Sequence, residues 1–183
     1  MTFDILAFSF LRGFALHFSF FNFLFVFLST GLPYFFVGIF LILIFRMKGT
    51  RERIFWFLFS ALTVLISRGI FAEILRFFIE RKRPYELLYF EPLLHPAGSA
   101  FPSGHAAFLF AIVFVAFAIK RKWGYWFLAF AIINGLARVL SGVHWVSDIL
   151  GGAAVAFLAF LVVRVLLRGK NILPESLSDS ERC

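Results

Sequence analysis

The sequence predicts an all-α fold, a polytopic membrane helical bundle with about five to six transmembrane helices. Hydrophobic residues make up 62% of the 183 positions, and thirty residues are phenylalanine, whereas a soluble domain is usually about 45–50% apolar. The apolar residues lie in long runs separated by short polar or basic stretches. Helices are the expected form of these runs, because an open sheet cannot satisfy its backbone hydrogen bonds in lipid.

The first 30 residues are the ambiguous part of the chain. They are rich in phenylalanine, but Arg12, His17 and Asn22 interrupt them, so they form either an interfacial helix or a sixth span. We favour an interfacial or partly inserted helix over residues 1–30, ended by a break at Ser29–Pro33. The first residues carry no basic segment and no small-residue cleavage site, so we interpret them as retained.

The remaining spans follow in order through a transmembrane domain at 31–170. A short apolar run at about 32–45 comes first, and four clearer spans follow it, at about 54–75, 106–119, 123–140 and 148–167. The last residues, 171–183, form a polar tail. Small residues at 151–160 are typical of closely packed membrane helices.

The distribution of charge predicts the orientation and one unusual cluster. The net charge of +8 is better explained by anionic lipid and topology than by nucleic acid in so apolar a chain. Basic residues at 46–53, at 120–122 and after 163 all fall on one side, which is expected to be cytoplasmic. The opposite side still carries four cations, where few are expected: Arg76, Arg81, Lys82 and Arg83. This departure suggests that the charge has a function.

A second segment on that side reads Pro102-Ser103-Gly104-His105. Ser103 is suited to cap a helix, and Gly104 lets a ligand approach the backbone closely. The free N–H groups of the helix start can bind an anion, beside a histidine that transfers protons near neutral pH. The alternative is an ordinary serine cap with a bystander histidine.

A third segment holds Arg138, His144 and Asp148. A carboxylate four residues after the histidine can fix the tautomer of the imidazole and leave its other nitrogen as a nucleophile. The alternative is an arginine at a helix end beside a local His–Asp pair. Because the three segments share one predicted face, we expect them to form one site for a dense anion, and phosphate matches arginine best.

These residues closely resemble the motifs of the type-2 phosphatidic acid phosphatase superfamily, which are Lys-x6-Arg-Pro, Pro-Ser-Gly-His and Ser-Arg-x5-His-x3-Asp. The matching positions are 76–84, 102–105 and 137–148. The chain departs from the family at Arg76, where the family has lysine, and at Ala137, where it has serine. The resemblance implies a helical core like that of acid phosphatases and haloperoxidases.

The resemblance also implies a division of roles. His144 would attack phosphorus and form a phosphohistidine, supported by Asp148, and His105 would protonate the leaving oxygen and then activate water. The phosphoryl oxygens would be bound by Arg76, Arg83, Ser103, Gly104 and Arg138. No metal site and no cofactor are expected, because Asp148 is the only carboxylate in the two later motifs and a two-metal site needs several more.

Three further cations have open interpretations. Arg68 lies inside an apolar run, where an uncompensated charge costs at least about 2.5 kcal/mol. It either pairs with Glu73, although their spacing is poor for direct pairing in a helix, or lines the substrate cleft. Lys82 and Arg81 are expected to be solvated, with contact to a second phosphate or a lipid headgroup as the alternative.

Together these features predict an integral lipid phosphatase of a bacterial cytoplasmic (inner) membrane, with its active site facing the periplasm or cell exterior. The expected substrate is undecaprenyl pyrophosphate, and the alternatives are phosphatidylglycerophosphate, phosphatidic acid or a lipid A phosphate. An anion or lipid transporter would spread its polar residues along several spans, and a non-catalytic membrane protein would not need His144 and Asp148. The sequence does not indicate an oligomeric state.

Overall fold

The computed structural model describes residues 2–16 and 21–168, and all regular secondary structure in those residues is helical. The predicted all-α fold is therefore confirmed for the described part of the chain. His17, Lys170 and the predicted tail at 171–183 lie outside the described residues.

The chain begins with helix α1, Thr2–Leu16, and continues after the undescribed residues into one long helix. That helix consists of α2, Phe21–Val26, a π-helical segment π1, Phe27–Gly31, and α3, Leu32–Phe45. The expected break at Ser29–Pro33 is wrong, because the backbone stays helical through Leu32 and the proline lies in the first turn of α3. The proposed boundary at residue 30 thus falls inside a continuous helix.

A second long helix has the same construction. It consists of α4, Thr50–Val64, a π-helical segment π2, Leu65–Phe71, and α5, Ala72–Phe78. A loop with one short helix, α6, Pro84–Leu88, then leads to three more helices: α7, Gly104–Ile119; α8, Arg121–Leu140; and α9, Val146–Arg168.

Four helical stretches among the described residues are long and apolar enough to cross a membrane: Asn22–Phe45, Thr50–Phe78, Arg121–Leu140 and Val146–Leu167. Helix α7, with 16 residues, is shorter. It lies at the centre of the bundle, in contact with α4, α8 and α9, and its buried side chains include Leu109 and Val113. Because protein surrounds α7 on several sides, its length is not set by lipid alone.

The core is aromatic on one side of α7 and built of small residues on the other. Phe36 and Phe40 meet the ring of Phe127 edge-on, at centroid distances of 4.7 and 5.5 Å. On the other side, a Cβ atom at Gly152 would lie 2.6 Å from the Cβ of Ala106. The predicted small-residue packing of α9 is therefore confirmed, and it brings the start of α7 against the start of α9.

The helix ends divide the molecule into two faces. The loops at 46–49 and around Lys120 lie at one end, while the loops at 79–103 and 141–145 lie at the other with α1 across them. Helix α1 is docked there by Phe8, whose buried ring stacks on Phe90 and meets Trp145 edge-on at 5.5 Å. The candidate functional residues all belong to this second end.

Candidate active site

The start of α7 forms one wall of the site. Ser103 has an extended backbone and its Oγ accepts a hydrogen bond from Ala106 N at 3.5 Å, so the predicted N-cap is confirmed. Gly104 is required by close approach, because a Cβ there would lie 2.5 Å from Arg68 Nε and 2.7 Å from Arg76 Nη2. His105 follows on the same turn with an exposed side chain. Two guanidinium groups thus lie directly on a helix N-terminus.

Arg76 is fixed to this turn from the end of α5. Its Nε and Nη2 atoms donate to the carbonyl oxygen of Pro102 at 3.2 and 3.1 Å, and its Nη1 donates to Glu73 at 3.0 Å. Its guanidinium therefore stays beside the peptide that precedes Ser103, and phosphate binding by Arg76 stays a prediction.

Arg138 reaches the site from the last turn of α8 and is only 4% exposed. Its Nη1 donates to Ser29 Oγ and to Ser29 O at 3.4 and 3.5 Å, and its Nη2 lies 3.5 Å from His144 Nε2. Its Nε has no hydrogen-bond partner among the residues that the structure describes. A buried guanidinium with such long contacts is under-satisfied, and an anion beside His144 would satisfy it.

The π1 segment positions this corner. Asn134 Nδ2 donates to Leu28 O at 2.7 Å and to Ser29 O at 3.1 Å, which joins α8 to π1. A π-helical turn shifts backbone hydrogen bonding away from the α-helical pattern, and such turns are frequent at functional sites. Here it presents the Ser29 carbonyl to both Asn134 and Arg138.

His144 lies in the loop before α9 and is 2% exposed. Its Nδ1 is 2.9 Å from the carbonyl oxygen of Ala100 and 3.5 Å from Asp148 Oδ2. Because a carbonyl only accepts, Nδ1 carries the hydrogen, and Nε2 keeps its lone pair on the side of Arg138. Burial, and then the charges of Arg138 and Arg83, lower the pKa of the imidazole well below 6.5. The ring is therefore neutral, as a nucleophile must be.

Asp148 is fully buried in the first turn of α9, and its strongest contacts differ from those expected. Its Oδ2 accepts from the Trp145 backbone N at 2.8 Å, and its Oδ1 accepts from Arg81 Nη1 at 2.6 Å. Arg81 and the Trp145 amide are thus nearer partners than His144. The carboxylate thus holds the backbone next to His144 through the Trp145 amide, and it also contacts the His144 ring at 3.5 Å.

Arg81 was expected to be solvated, and that expectation is wrong. Besides Asp148, its guanidinium donates to Ser147 Oγ at 2.7 Å and to Asp4 Oδ2 at 2.7 Å. The buried carboxylate of Asp148 requires a compensating charge, which Arg81 supplies. Lys82, its neighbour, has an exposed side chain, and only its carbonyl oxygen contacts Trp145.

Asp4 is a residue of this end that the sequence reasoning missed. It is 6% exposed, and its carboxylate accepts from Ser147 N at 3.1 Å and from Ser147 Oγ at 2.9 Å. Burial alone would raise its pKa, but the hydrogen bonds from Arg81 and Ser147 outweigh burial and hold the pKa below its ordinary value. The only sequence signal was a carboxylate within a phenylalanine-rich segment.

Arg83 is buried and organises two loops. It donates through Nε to Gly98 O, through Nη2 to Ala97 O and Ser99 O, and through Nη1 to Val143 O at 2.8 Å. Most of its donors are therefore engaged with backbone carbonyls next to His144. Direct phosphate binding by Arg83 stays a prediction.

Arg68 and Glu73 form a direct ion pair, although their spacing had suggested otherwise. Arg68 lies in π2, where backbone hydrogen bonds join residues i and i+5, and this wider turn brings residues five apart closer to one face than an α-helix does. Glu73 is also bonded to Arg76. The pair is only partly covered by protein, with side-chain exposures of 40% and 49%.

The structure brings most of the predicted site residues together. Arg138 Nη2 lies 3.5 Å from His144 Nε2, and Arg76 is bonded to the carbonyl of Pro102, at the helix start that carries His105. Within residues 2–16 and 21–168, no group of three or more His, Cys, Asp or Glu is placed to hold a metal ion. The arrangement places Arg138 beside His144, and Arg68 and Arg76 against the start of α7.

Comparison with known proteins agrees with this geometry. The family model of the PAP2 superfamily matches residues 57–172. The chain is 35% identical over 103 residues to phosphatidylglycerophosphatase B of Bacillus subtilis, covering 50% of this chain and 49% of that protein. It is 34% identical over 116 residues to lipid A 1-phosphatase of Rhizobium etli, covering 60% and 50%. It is 32% identical over 90 residues to undecaprenyl-diphosphatase BcrC of Bacillus subtilis, covering 43% and 47%. The matched segments span about half the length of these relatives.

Two solved structures share the fold. Aquifex aeolicus LpxE superposes with a TM-score of 0.68 at 18% identity, over 87% of this chain and 93% of that one. The transmembrane PAP2-type phosphatidylglycerolphosphate phosphatase of Bacillus subtilis superposes with a TM-score of 0.57 at 22% identity, over 83% and 79%. At these identities the likeness supports the helical membrane fold.

Proposed function

The chain belongs to the PAP2 superfamily, and from that premise we propose that it is a membrane lipid phosphatase that works through a phosphohistidine on His144. The observation that carries the proposal is the state of that imidazole. It is buried and neutral, its Nδ1–H points to Ala100 O, and its Nε2 lies beside an under-satisfied guanidinium. A lone pair facing a cationic pocket suits attack on phosphorus.

In the first half-reaction, a phosphoryl group enters between His144 and the start of α7. Arg138 and Arg76 bind its oxygens, together with the N–H groups after Ser103. The Nε2 lone pair of His144 forms a bond to phosphorus, and the bond from phosphorus to the ester or bridging oxygen breaks. The electron pair leaves with that oxygen, and His105 gives it a proton.

In the second half-reaction, His105 acts as a base. It takes a proton from water, and the water oxygen attacks phosphorus as the P–N bond to His144 breaks. Inorganic phosphate leaves, and both imidazoles return to their starting states. Asp148, held by Arg81 and by the Trp145 amide, keeps the loop of His144 in position through both steps.

We infer that the reaction needs no metal ion. The guanidinium groups of Arg76 and Arg138 and the N-terminus of α7 supply the positive charge that a metal would otherwise give to the transition state. EDTA should therefore leave phosphate release unchanged. A loss of activity in EDTA that added Mg²⁺ restores would contradict this part of the proposal.

Among substrates, we propose undecaprenyl pyrophosphate first, with phosphatidylglycerophosphate, phosphatidic acid and lipid A phosphate as the alternatives. Relatives are named for three of these four lipids. Exposed aromatic residues on the membrane spans, such as Phe77 and Phe78 beside Arg76, offer an apolar surface to a lipid tail.

For orientation, we propose a bacterial cytoplasmic membrane with the site facing the cell exterior. The support is the basic loops at the end opposite the site. Single cysteines placed at Lys82 and at Lys122 in a Cys183→Ser background test this. Only the cysteine at position 82 should react with an impermeant maleimide on intact spheroplasts.

The deciding experiment is phosphate release by the purified protein in detergent, with His144→Ala as the test variant. We expect loss of turnover by at least about 10⁴-fold, as for removal of other nucleophiles, and loss of an acid-labile, base-stable phosphoenzyme. Full activity in a folded His144→Ala protein would rule out this residue as the nucleophile.

A further inference from the structure

A cluster of three charged side chains lies at the membrane side of the site: Arg68, Glu73 and Arg76. One oxygen of Glu73, Oε1, accepts hydrogen bonds from both guanidinium groups. Both groups also lie against Gly104, in the first turn of α7. A carboxylate oxygen thus occupies a position defined by two arginines and a helix N-terminus, a combination that suits a phosphate oxygen equally well.

Stability does not account for this cluster. The side chains of Arg68 and Glu73 are only partly covered by protein, at 40% and 49% exposed, and pairing two charges inside an apolar span at best offsets the cost of placing them there. An arginine within a membrane span is costly, and such residues usually serve function. A carboxylate that is half exposed is also free to move aside when another anion arrives.

The position of Arg68 is fixed on the side from which a lipid tail would enter. Buried Ser67 donates to Ala107 O at 2.9 Å and holds π2 against α7. Arg68 precedes Phe78, the last residue of α5, by ten residues, which is roughly 15 Å along a helix. The backbone of Arg68 therefore lies deeper in the apolar span than the outer loops that hold Arg83 and His144, and its side chain reaches the first turn of α7.

We propose that Arg68 forms a subsite for the tail-proximal phosphoryl group of a lipid diphosphate, next to Arg76 on the reacting phosphoryl group, and that Glu73 occupies this subsite until substrate binds. This inference rests on the proposed function and adds a preference for diphosphates over monophosphates. The terminal phosphorus bonds to His144 Nε2, and its bond to the bridging oxygen breaks. That oxygen leaves with the electron pair on the tail-proximal phosphate, takes a proton from His105, and is held by Arg68.

The test compares farnesyl diphosphate with farnesyl monophosphate, which share one tail and differ by one phosphoryl group. Arg68→Gln should lower kcat/KM for the diphosphate by roughly 10- to 100-fold, the loss expected for a charge-assisted hydrogen bond. The value for the monophosphate should change by less than about threefold. Arg68→Lys should restore part of the diphosphate activity. Arg121→Gln, an exposed arginine at the opposite end, is the matched control and should change neither value.

A second variant tests the role of Glu73, and here substrate binding should become tighter instead of weaker. Glu73→Gln removes the competing carboxylate charge, so KM for the diphosphate should fall and inorganic pyrophosphate should inhibit more strongly. Inhibition by inorganic phosphate should change less, because one phosphoryl group does not need the Arg68 subsite. This measurement remains informative if Arg68→Gln does not fold.

The outcomes separate this inference from the proposed function. Equal losses on both substrates in Arg68→Gln, or no change in their ratio, would overturn the subsite while leaving the phosphatase intact. Weaker pyrophosphate inhibition in Glu73→Gln would also overturn it. A wild-type protein that hydrolyses neither substrate nor any other lipid phosphate would instead contradict the proposed function.

Discussion

The two sides of the candidate site differ in how firmly they are held. On the buried side, His144 and Asp148 are 2% and 0% exposed, and Arg81 joins the carboxylate to α1. On the open side, Arg68 and Glu73 are 40% and 49% exposed and contact mainly each other and Arg76. In the proposed mechanism, the attacking group would thus be positioned before substrate arrives, while the groups nearest the leaving group would still be free to rearrange.

This difference has a chemical meaning. Every phosphate ester presents the same phosphorus to the nucleophile, so a rigid environment for His144 serves all substrates. Leaving groups vary in charge and size, so under the proposed function we expect substrates to be distinguished on the open side. Relatives named for different lipid phosphates are consistent with a fixed nucleophile and a variable opposite wall.

The largest effect expected on the open side comes from His105→Asn. Loss of a general acid typically costs about 10²–10⁴-fold, and the loss should appear in full with a lipid phosphate, whose leaving oxygen needs a proton. With p-nitrophenyl phosphate the leaving group needs no proton, but water still needs activation. The variant should therefore release a burst of about one equivalent of nitrophenol and then turn over slowly.

The control for this prediction is His95→Asn, which alters an exposed histidine of the outer loop paired with Glu91. It should behave as the wild type with both substrates. Equal losses on both substrates in His105→Asn, without a burst, would place His105 outside leaving-group chemistry and weaken the contrast between the two sides.

The sequence predicted which residues form the site better than it predicted the contacts that hold those residues in place. The helix cap of Ser103 follows from local spacing and residue type, and it was predicted correctly. The partnership of Asp4 with Arg81 was not predictable, because 77 positions separate them and neither lies in a recognisable pattern. Only the folded chain brings α1 to the start of α9.

The pairing of Arg68 with Glu73 was missed for a different reason. Residue spacing was interpreted with the 3.6-residue period of an α-helix, on which positions i and i+5 diverge. The π2 segment changes the local period and aligns them. The break expected at Ser29–Pro33 is absent because the backbone stays helical through π1 and into the first turn of α3.

On the buried side, Arg81→Gln should have the next largest effect. It leaves the buried Asp148 carboxylate without its cation, and breaking a buried pair usually costs about 3–5 kcal/mol. We expect a lower Tm and a roughly 10- to 100-fold fall in kcat. KM should change little, because Arg81 is a positioning residue and does not bind substrate.

Two variants make this prediction specific. Arg81→Lys keeps a charge beside Asp148 and should recover part of kcat. If the role of Arg81 were purely structural, the variant would recover Tm and kcat would recover only to the extent that Tm does. Lys82→Gln, the exposed neighbour, should leave kcat and Tm unchanged. If Lys82→Gln and Arg81→Gln behave alike, the buried network does not support the nucleophile.

The smallest expected effect concerns pH, and it tests whether His144 is as buried in solution as its contacts indicate. Its pKa lies well below 6.5 in the folded protein, because of burial and of nearby arginines, while in the unfolded chain it is about 6.5. Between these two values the unfolded state binds more protons, so stability rises with pH and falls as pH drops through 6.5. His144→Gln removes this contribution, so its Tm should decline less between pH 7 and pH 5 than that of the wild type.

The burst rate of His105→Asn with p-nitrophenyl phosphate reports on the same His144 ring by kinetics. This rate should vary by less than about twofold from pH 8 to pH 6.5 if Nε2 of His144 stays unprotonated. A burst that falls with an apparent pKa near 6.5 would mean that water reaches His144, and the buried side would then be no more rigid than the open one.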